Sequence, residues 1–202
     1  PKHILLEEAR IAEIVPKDSD EWYYVYVKGE VLLATRDAAK AIRVANANYG
    51  VVVDSDVNYI FKRSRSATQS AIANLSPNEA DVAASSMIKC VSIMLKNEGA
   101  GIGVSDLVQA GQTPIEIVTN TFKDYRVLEL HDCAMDELLY YIDQGTPVLA
   151  KAGSNQAILL TGYTANNVYY YEPNSGQTKS MGYNEMEELF YQGGEYFIAY
   201  VK

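Results

Sequence analysis

The chain has 202 residues, 48% of them hydrophobic and 21% charged, with 17 Lys and Arg against 26 Asp and Glu for a net charge of −9. That balance suits a globular protein, and at this length a compact fold buries roughly 70% of the surface of the unfolded chain. The negative charge disfavours nucleic acid or an anionic membrane surface as partner, and no apolar run approaches the ~20 residues that span a bilayer.

In chain order, residues 4–15 place apolar groups at helical spacing and predict a helix, broken by Pro16 and the run to Asp20. Trp22 to Val27 and Glu30 to Ala34 read as strands around a Lys28-Gly29 turn. Thr35 is placed as the cap of a helix whose Ala38, Ile42 and Ala45 share a face, with Gly50 as its stop. Val51 to Val53 and Asn58 to Phe61 complete a small ββαββ unit. Lys62 to Ser66 is a basic bridge, and a short helix is expected from Ala67 to Leu75. Ser76-Pro77-Asn78-Glu79 has the form of a capping box and predicts one long helix to Glu98, with Met87, Val91, Met94 and Leu95 as its buried stripe. Thr113-Pro114-Ile115-Glu116 repeats that logic for a helix to Phe122. A strand at Tyr125 to Leu130 and a helix at Ala134 to Gln144 follow. The last third carries strands at Pro147 to Ala150, Gln156 to Tyr163, Val168 to Glu172 and Tyr196 to Val201, with a helix at Asn184 to Tyr191. A helical half followed by an antiparallel half is an α+β arrangement.

His3, His131, Cys90 and Cys133 are the strong nitrogen or sulfur ligands, and they have neither C-x-x-C nor H-x-x-x-H spacing. No metal and no cofactor is expected.

Three stretches, in order, are distinctive: the helical run Ser86 to Leu95 with Gly99; Gly145-Thr146-Pro147-Val148 followed by Gln156-Ala157-Ile158-Leu159-Leu160-Thr161-Gly162-Tyr163; and Val168 to Pro173 with Leu189-Phe190. Together, over residues 76–202, they resemble the papain-like cysteine peptidases of the bacteriocin-processing, double-glycine type. The resemblance implies a papain-like peptidase fold, an α+β fold preceded here by the small ββαββ unit. The domains expected are 1–20 as an N-terminal helix and linker, 21–63 as the ββαββ module, and 64–202 as the peptidase-like domain.

In that family a Cys opens the central helix, a His opens the strand that here reads QAILLTGY, an Asp before Pro orients the His, and a Gln ahead of the Cys serves the oxyanion. By position these places fall to Ser86, Gln156, Glu172 and Ala80. A serine needs an adjacent base to act as nucleophile. An amide takes up no proton near neutral pH, so Gln156 is no base. Glu172 then has nothing titratable to orient, and Ala80 offers no donor. The resemblance thus implies an inactive peptidase-like domain that binds a peptide or protein segment beside Ser86, Gln156 and Tyr170.

Two alternatives remain beside that reading. One is an active cysteine hydrolase using Cys133 or Cys90. Cys133 precedes a helix, two residues from His131, although residues two apart in this context diverge; Cys90 on the apolar helix face reads more plainly as a structural thiol. The other is a structural cell-envelope module. Tyr169-Tyr170-Tyr171 reads first as a half-buried strand, and second as an aromatic strip that grips a peptide or a sugar. Gly99 to Gly103 lacks the context of a phosphate loop, Glu187-Glu188 reads as a solvated helix face, and Asp136-Glu137, adjacent on a helix, do not face each other as an acid/base pair would. The sequence starts at Pro1 without a leader, so a fragment or processed product is expected. Low cysteine use suits the cytosol and equally the exported or cell-surface proteins of Gram-positive bacteria, with any signal or anchor outside the sequence. Oligomeric state is left open.

Overall fold

The structure is a computed structural model that describes residues 21–63, 67–154 and 156–202. The helix expected over 4–15, the residues 64–66 of the basic bridge, and His3 lie outside the described residues. The chain divides into two compact units: the described residues up to Arg63 with Asp132–Tyr140, and Ala67–His131 with Tyr141–Lys202.

In the first unit, strands β1 (Tyr23–Val27), β2 (Glu30–Thr35), β3 (Val51–Asp54) and β4 (Tyr59–Lys62) form an antiparallel sheet in the order β2-β1-β3-β4. Helix α1 (Ala38–Ala47) buries Ala38, Ala41, Ile42 and Ala45. This is the ββαββ arrangement read from the sequence. Lys28 and Gly29 both take positive φ, 52° and 85°, which matches the turn to the strand twist. The helix cap is Asp37 rather than Thr35. The Asp37 carboxylate accepts the Lys40 N–H at 3.0 Å, while the Thr35 hydroxyl accepts the Asp37 N–H at 3.1 Å. The far segment Asp132–Tyr140 joins this unit through Asn46, whose amide donates to Asp136 (3.1 Å) and Glu137 (3.2 Å).

The second unit holds strands β5 (Ser70–Ala71), β6 (Arg126–His131), β7 (Val148–Lys151), β8 (Ala157–Tyr163), β9 (Asn167–Glu172), β10 (Gln177–Gly182) and β11 (Tyr196–Val201). Its helices are α2 (Ser86–Asn97), α3 (Val104–Gln109), α4 (Pro114–Thr121) and α6 (Tyr183–Gln192); α5 (Met135–Asp143) begins in the first unit and ends in this one. The sheet runs β10-β9-β8-β7-β11-β6, with β5 on β8, and every pairing is antiparallel.

Helix α2 sets the core. Its Cys90, Val91, Met94 and Leu95 pack with Leu149, Leu159, Tyr171 and Ile198 on one face of the sheet. The alternating residues Val148, Ile158, Leu160, Phe197 and Ala199 are buried on the other face. There the α6 residue Phe190 meets Phe197 edge to face at 4.9 Å.

Three readings of this unit need correction. Ala67 to Leu75 is not a helix. Ser70 and Ala71 pair with Tyr163 and Gly162, and the Ile72 N–H donates to the Thr161 carbonyl at 2.7 Å. A Cβ on Gly162 would meet the Ser70 carbonyl oxygen at 2.6 Å, so this strand approaches β8 only because position 162 is glycine.

The long helix from Ser76 is also absent. A single 3-10 turn, Glu79–Asp81, is followed by α2, which starts at Ser86 behind the Ser85 cap. Tertiary bonds outweigh local propensity here. The Asp81 carboxylate reaches across to the Val104 N–H (3.0 Å), the Ser105 N–H (2.9 Å) and the Ser105 hydroxyl (2.7 Å), while the Asn78 N–H donates to Ser92 Oγ (2.9 Å). Finally, α3 and β10 were not expected. The Thr113–Glu116 capping box of α4 is present as read, with both reciprocal bonds. Among the described residues no helix is long and apolar enough to cross a membrane.

Candidate functional site

Ser86 is the first residue of α2 and is buried. Its hydroxyl oxygen accepts the Ala157 N–H at 3.0 Å. The start of the helix is therefore clamped to the start of β8, and Ser86 and Gln156 are brought together through the peptide unit that joins Gln156 to Ala157. Gln156 itself is exposed, and its carbonyl accepts the Ala152 N–H at 2.8 Å.

Glu172 closes β9. Its carboxylate accepts the Asn174 N–H (2.8 Å), the Ser175 N–H (2.9 Å) and the Lys179 ammonium (3.3 Å). Partial burial pushes its pKa up, but the Ser175 and Asn174 bonds together with Lys179 win and hold it at about 2. The carboxylate stays ionised and is engaged by its own turn. One helical turn after Ser86, the Lys89 ammonium donates to the Pro173 carbonyl at 3.2 Å and ties α2 to that same turn. Neither lysine was singled out from the sequence. The three-residue spacing from Ser86 puts Lys89 on the same helix face and was a usable signal. Lys179 lies on β10, which no hydrophobic alternation announced.

Tyr170 is half-buried and pairs with Leu160 on β8 and Lys179 on β10. Its neighbour Tyr171 packs in the cluster with α2, so strand alternation turns Tyr170 to the opposite face of the sheet. Ala80 is exposed in the 3-10 turn ahead of α2 and carries no side-chain donor.

Both cysteines are buried. Burial pushes the Cys90 thiol well up, the Glu172 charge adds to that, and Lys89 opposes it weakly. Burial likewise pushes the Cys133 thiol up, followed by the Glu137 carboxylate. The exposed His131 ring packs edge-on against Tyr196 at 5.2 Å. Among the described residues no group of three or more His, Cys, Asp or Glu is placed to hold a metal ion.

No family model matches the chain, and no curated protein matches it. A solved structure from Bacillus anthracis, provisionally described as a C39-like peptidase, is similar with a TM-score of 0.51 and 13% identity. The match covers 64% of this chain and 98% of the other. That share is close to the share of this chain in the second unit. The fold is therefore α+β and of the C39-like, papain-like peptidase type. At that identity the likeness speaks for the fold alone, and chemistry has to be argued from the residues.

Proposed function

We propose that the second unit is a degenerate relative of the bacteriocin-processing cysteine peptidases, which binds a peptide or protein segment at the start of α2 without cleaving it. The observation that carries this reading is the Ser86 hydroxyl, which accepts a backbone N–H from Ala157 where a catalytic site would set a base. A serine at this place has no proton acceptor in Gln156, and Glu172 is committed to its turn. Loss of a base alone removes 10²–10⁴-fold of rate, of order several kcal/mol. The exposed Gln156 amide keeps donors and an acceptor for the backbone of an extended segment.

The test is calorimetric titration of the whole chain with a synthetic extended peptide ending in Gly-Gly, with mass spectrometry of the mixture. Saturable binding of an uncleaved peptide, weakened by Gln156→Arg at this exposed position, is the expected result. Cleavage would replace the reading with an enzyme, and no binding at millimolar peptide would remove the ligand from it.

A further inference from the structure

The far end of β8 carries a second feature, independent of Ser86 and Gln156. Strands β9, β8 and β5 bring Tyr169, Gly162 and Ala71 into one cross-strand row. A Cβ on Gly162 would meet the Ser70 carbonyl oxygen at 2.6 Å and the Ala71 Cα at 3.0 Å, so β5 packs into the place of that side chain, and the ladder between β8 and β9 shifts register here. A hollow of about 490 Å³ opens there, lined by Gln69, Ser70, Ala71, Tyr163, Thr164 and Tyr169. Gly162 stands five residues beyond Ala157 on β8, which at ~3.3 Å per residue puts the hollow roughly 16 Å from the Ser86 clamp.

The walls are held in place from behind. The Tyr163 hydroxyl donates to Asp143 at 2.6 Å, and Ser70 Oγ donates to the Ile142 carbonyl at 3.4 Å. Thr164 Oγ1 accepts the N–H groups of Asn166 and Asn167, and the Thr164 carbonyl accepts the Tyr183 hydroxyl at 2.7 Å. Gln69 differs: it is exposed, and among the described residues its amide has no hydrogen-bond partner.

The lining selects by chemistry. It contains no charged side chain, so nothing in it favours an anion or a cation over a neutral molecule. It offers the aromatic surface of Tyr169 together with the Gln69 amide and the Thr164 hydroxyl proton; these last two have no hydrogen-bond acceptor or donor among the described residues, and a purely aliphatic ligand would leave them unpartnered. A neutral pyranose has the complementary surface, an apolar C–H face rimmed by hydroxyls. The volume falls within the range of small-ligand sites. We propose that this hollow binds a sugar unit of a neutral oligosaccharide, with the C–H face on Tyr169 and the hydroxyls on the Gln69 amide and the Thr164 hydroxyl.

The test is isothermal titration of the whole chain with maltotriose, cellotriose and chitotriose, and with a capped neutral tetrapeptide, Ac-Ala-Ser-Ala-Thr-amide. Saturable binding of at least one trisaccharide is expected, weakened about tenfold in Tyr169→Ala and in Gln69→Ala, a change of one decade in Kd. Gln156→Arg leaves this binding unchanged, which separates it from the peptide reading above. Gln69 is exposed, so its variant remains informative even if Tyr169→Ala fails to fold. The proposal is overturned if no trisaccharide binds saturably, if both variants bind like the parent, or if the tetrapeptide binds more tightly than every sugar.

Discussion

The two ends of α2 are built differently. At the C-terminal end the Glu98 carboxylate is almost fully used. It accepts the Tyr200 hydroxyl (2.8 Å), the Asn97 amide (2.9 Å), the Tyr125 hydroxyl (3.3 Å) and the Lys202 ammonium (3.1 Å), while the Tyr125 and Tyr200 rings stack at 5.9 Å. At the N-terminal end Ser86 makes one bond to a backbone N–H, next to an exposed Gln156. One end is anchored to β11 through several side chains, and the other is held to β8 through the single bond of the buried Ser86. A helix anchored at its far end keeps its place whatever stands at its first residue, which is how a peptidase fold can outlast the chemistry proposed to be lost from it.

The largest expected effect follows from the anchored end. Glu98→Ala leaves the hydroxyls of Tyr200 and Tyr125 without their acceptor, one of them fully buried. A loss of about 3 kcal/mol is expected, or roughly 6–12 °C in Tm by thermal denaturation followed by circular dichroism. A shift under 2 °C would mean that the anchor is elsewhere and that the contrast between the two ends is not energetic.

Next comes Asp81, the buried carboxylate that fixes where α2 begins. Burial raises its pKa, but the bonds from Val104 and Ser105 and the hydroxyls of Ser105 and Ser92 outweigh burial and leave it below the ordinary value of 3.8. Its folded pKa is depressed, so its stabilisation is present in full above the unfolded value and is lost as pH falls through the folded one. Asp81→Asn should cost about 2 kcal/mol at neutral pH. The gap between parent and variant should then close on acidification below about pH 4. A constant gap down to pH 2 would break the assignment.

These two ends also explain what could be read from the sequence. The capping box of α4 is legible because Thr113 and Glu116 satisfy each other locally. Strands β7, β8, β9 and β11 are legible because their aliphatic and aromatic runs are long. The start of α2 is not, because it is decided by Asp81 bonding to residues past Gly103 and by Asn78 reaching Ser92. Strand β5 has two residues and depends on a glycine on another strand. Strand β10, QTKSMG, is largely exposed and carries no apolar alternation. At the candidate site, motif order locates Ser86, Gln156 and Glu172. It says nothing of the partners they choose, the Ala157 N–H and the turn after Glu172, because these are backbone groups with no sequence signature.

At the N-terminal end the expected effect is smaller. Ser86→Ala removes the acceptor of the Ala157 N–H and should cost about 1–2 kcal/mol in urea denaturation. That is less than the loss at Glu98, and a reversal of this order would mean that the helix is held from its first residue.

The smallest expected effect is none at all, and it bears on the rival reading. Iodoacetamide labelling of the native chain from pH 5 to 9, with peptide mapping, should modify neither Cys90 nor Cys133, whereas both should react in urea. Cys90 is wholly buried one turn beyond Ser86, and burial and the Glu172 charge both hold its proton. Cys133 is covered, and burial with the Glu137 carboxylate outweighs the opposing Arg43 charge and disfavours a thiolate. A catalytic thiol needs the reverse, a positive neighbour that dominates its surroundings and access to solvent. Fast native labelling of either cysteine below pH 8 would identify an activated thiolate. That result would move the search for chemistry from the start of α2 to that cysteine and end the contrast between a many-bonded end and an unreactive, singly bonded one.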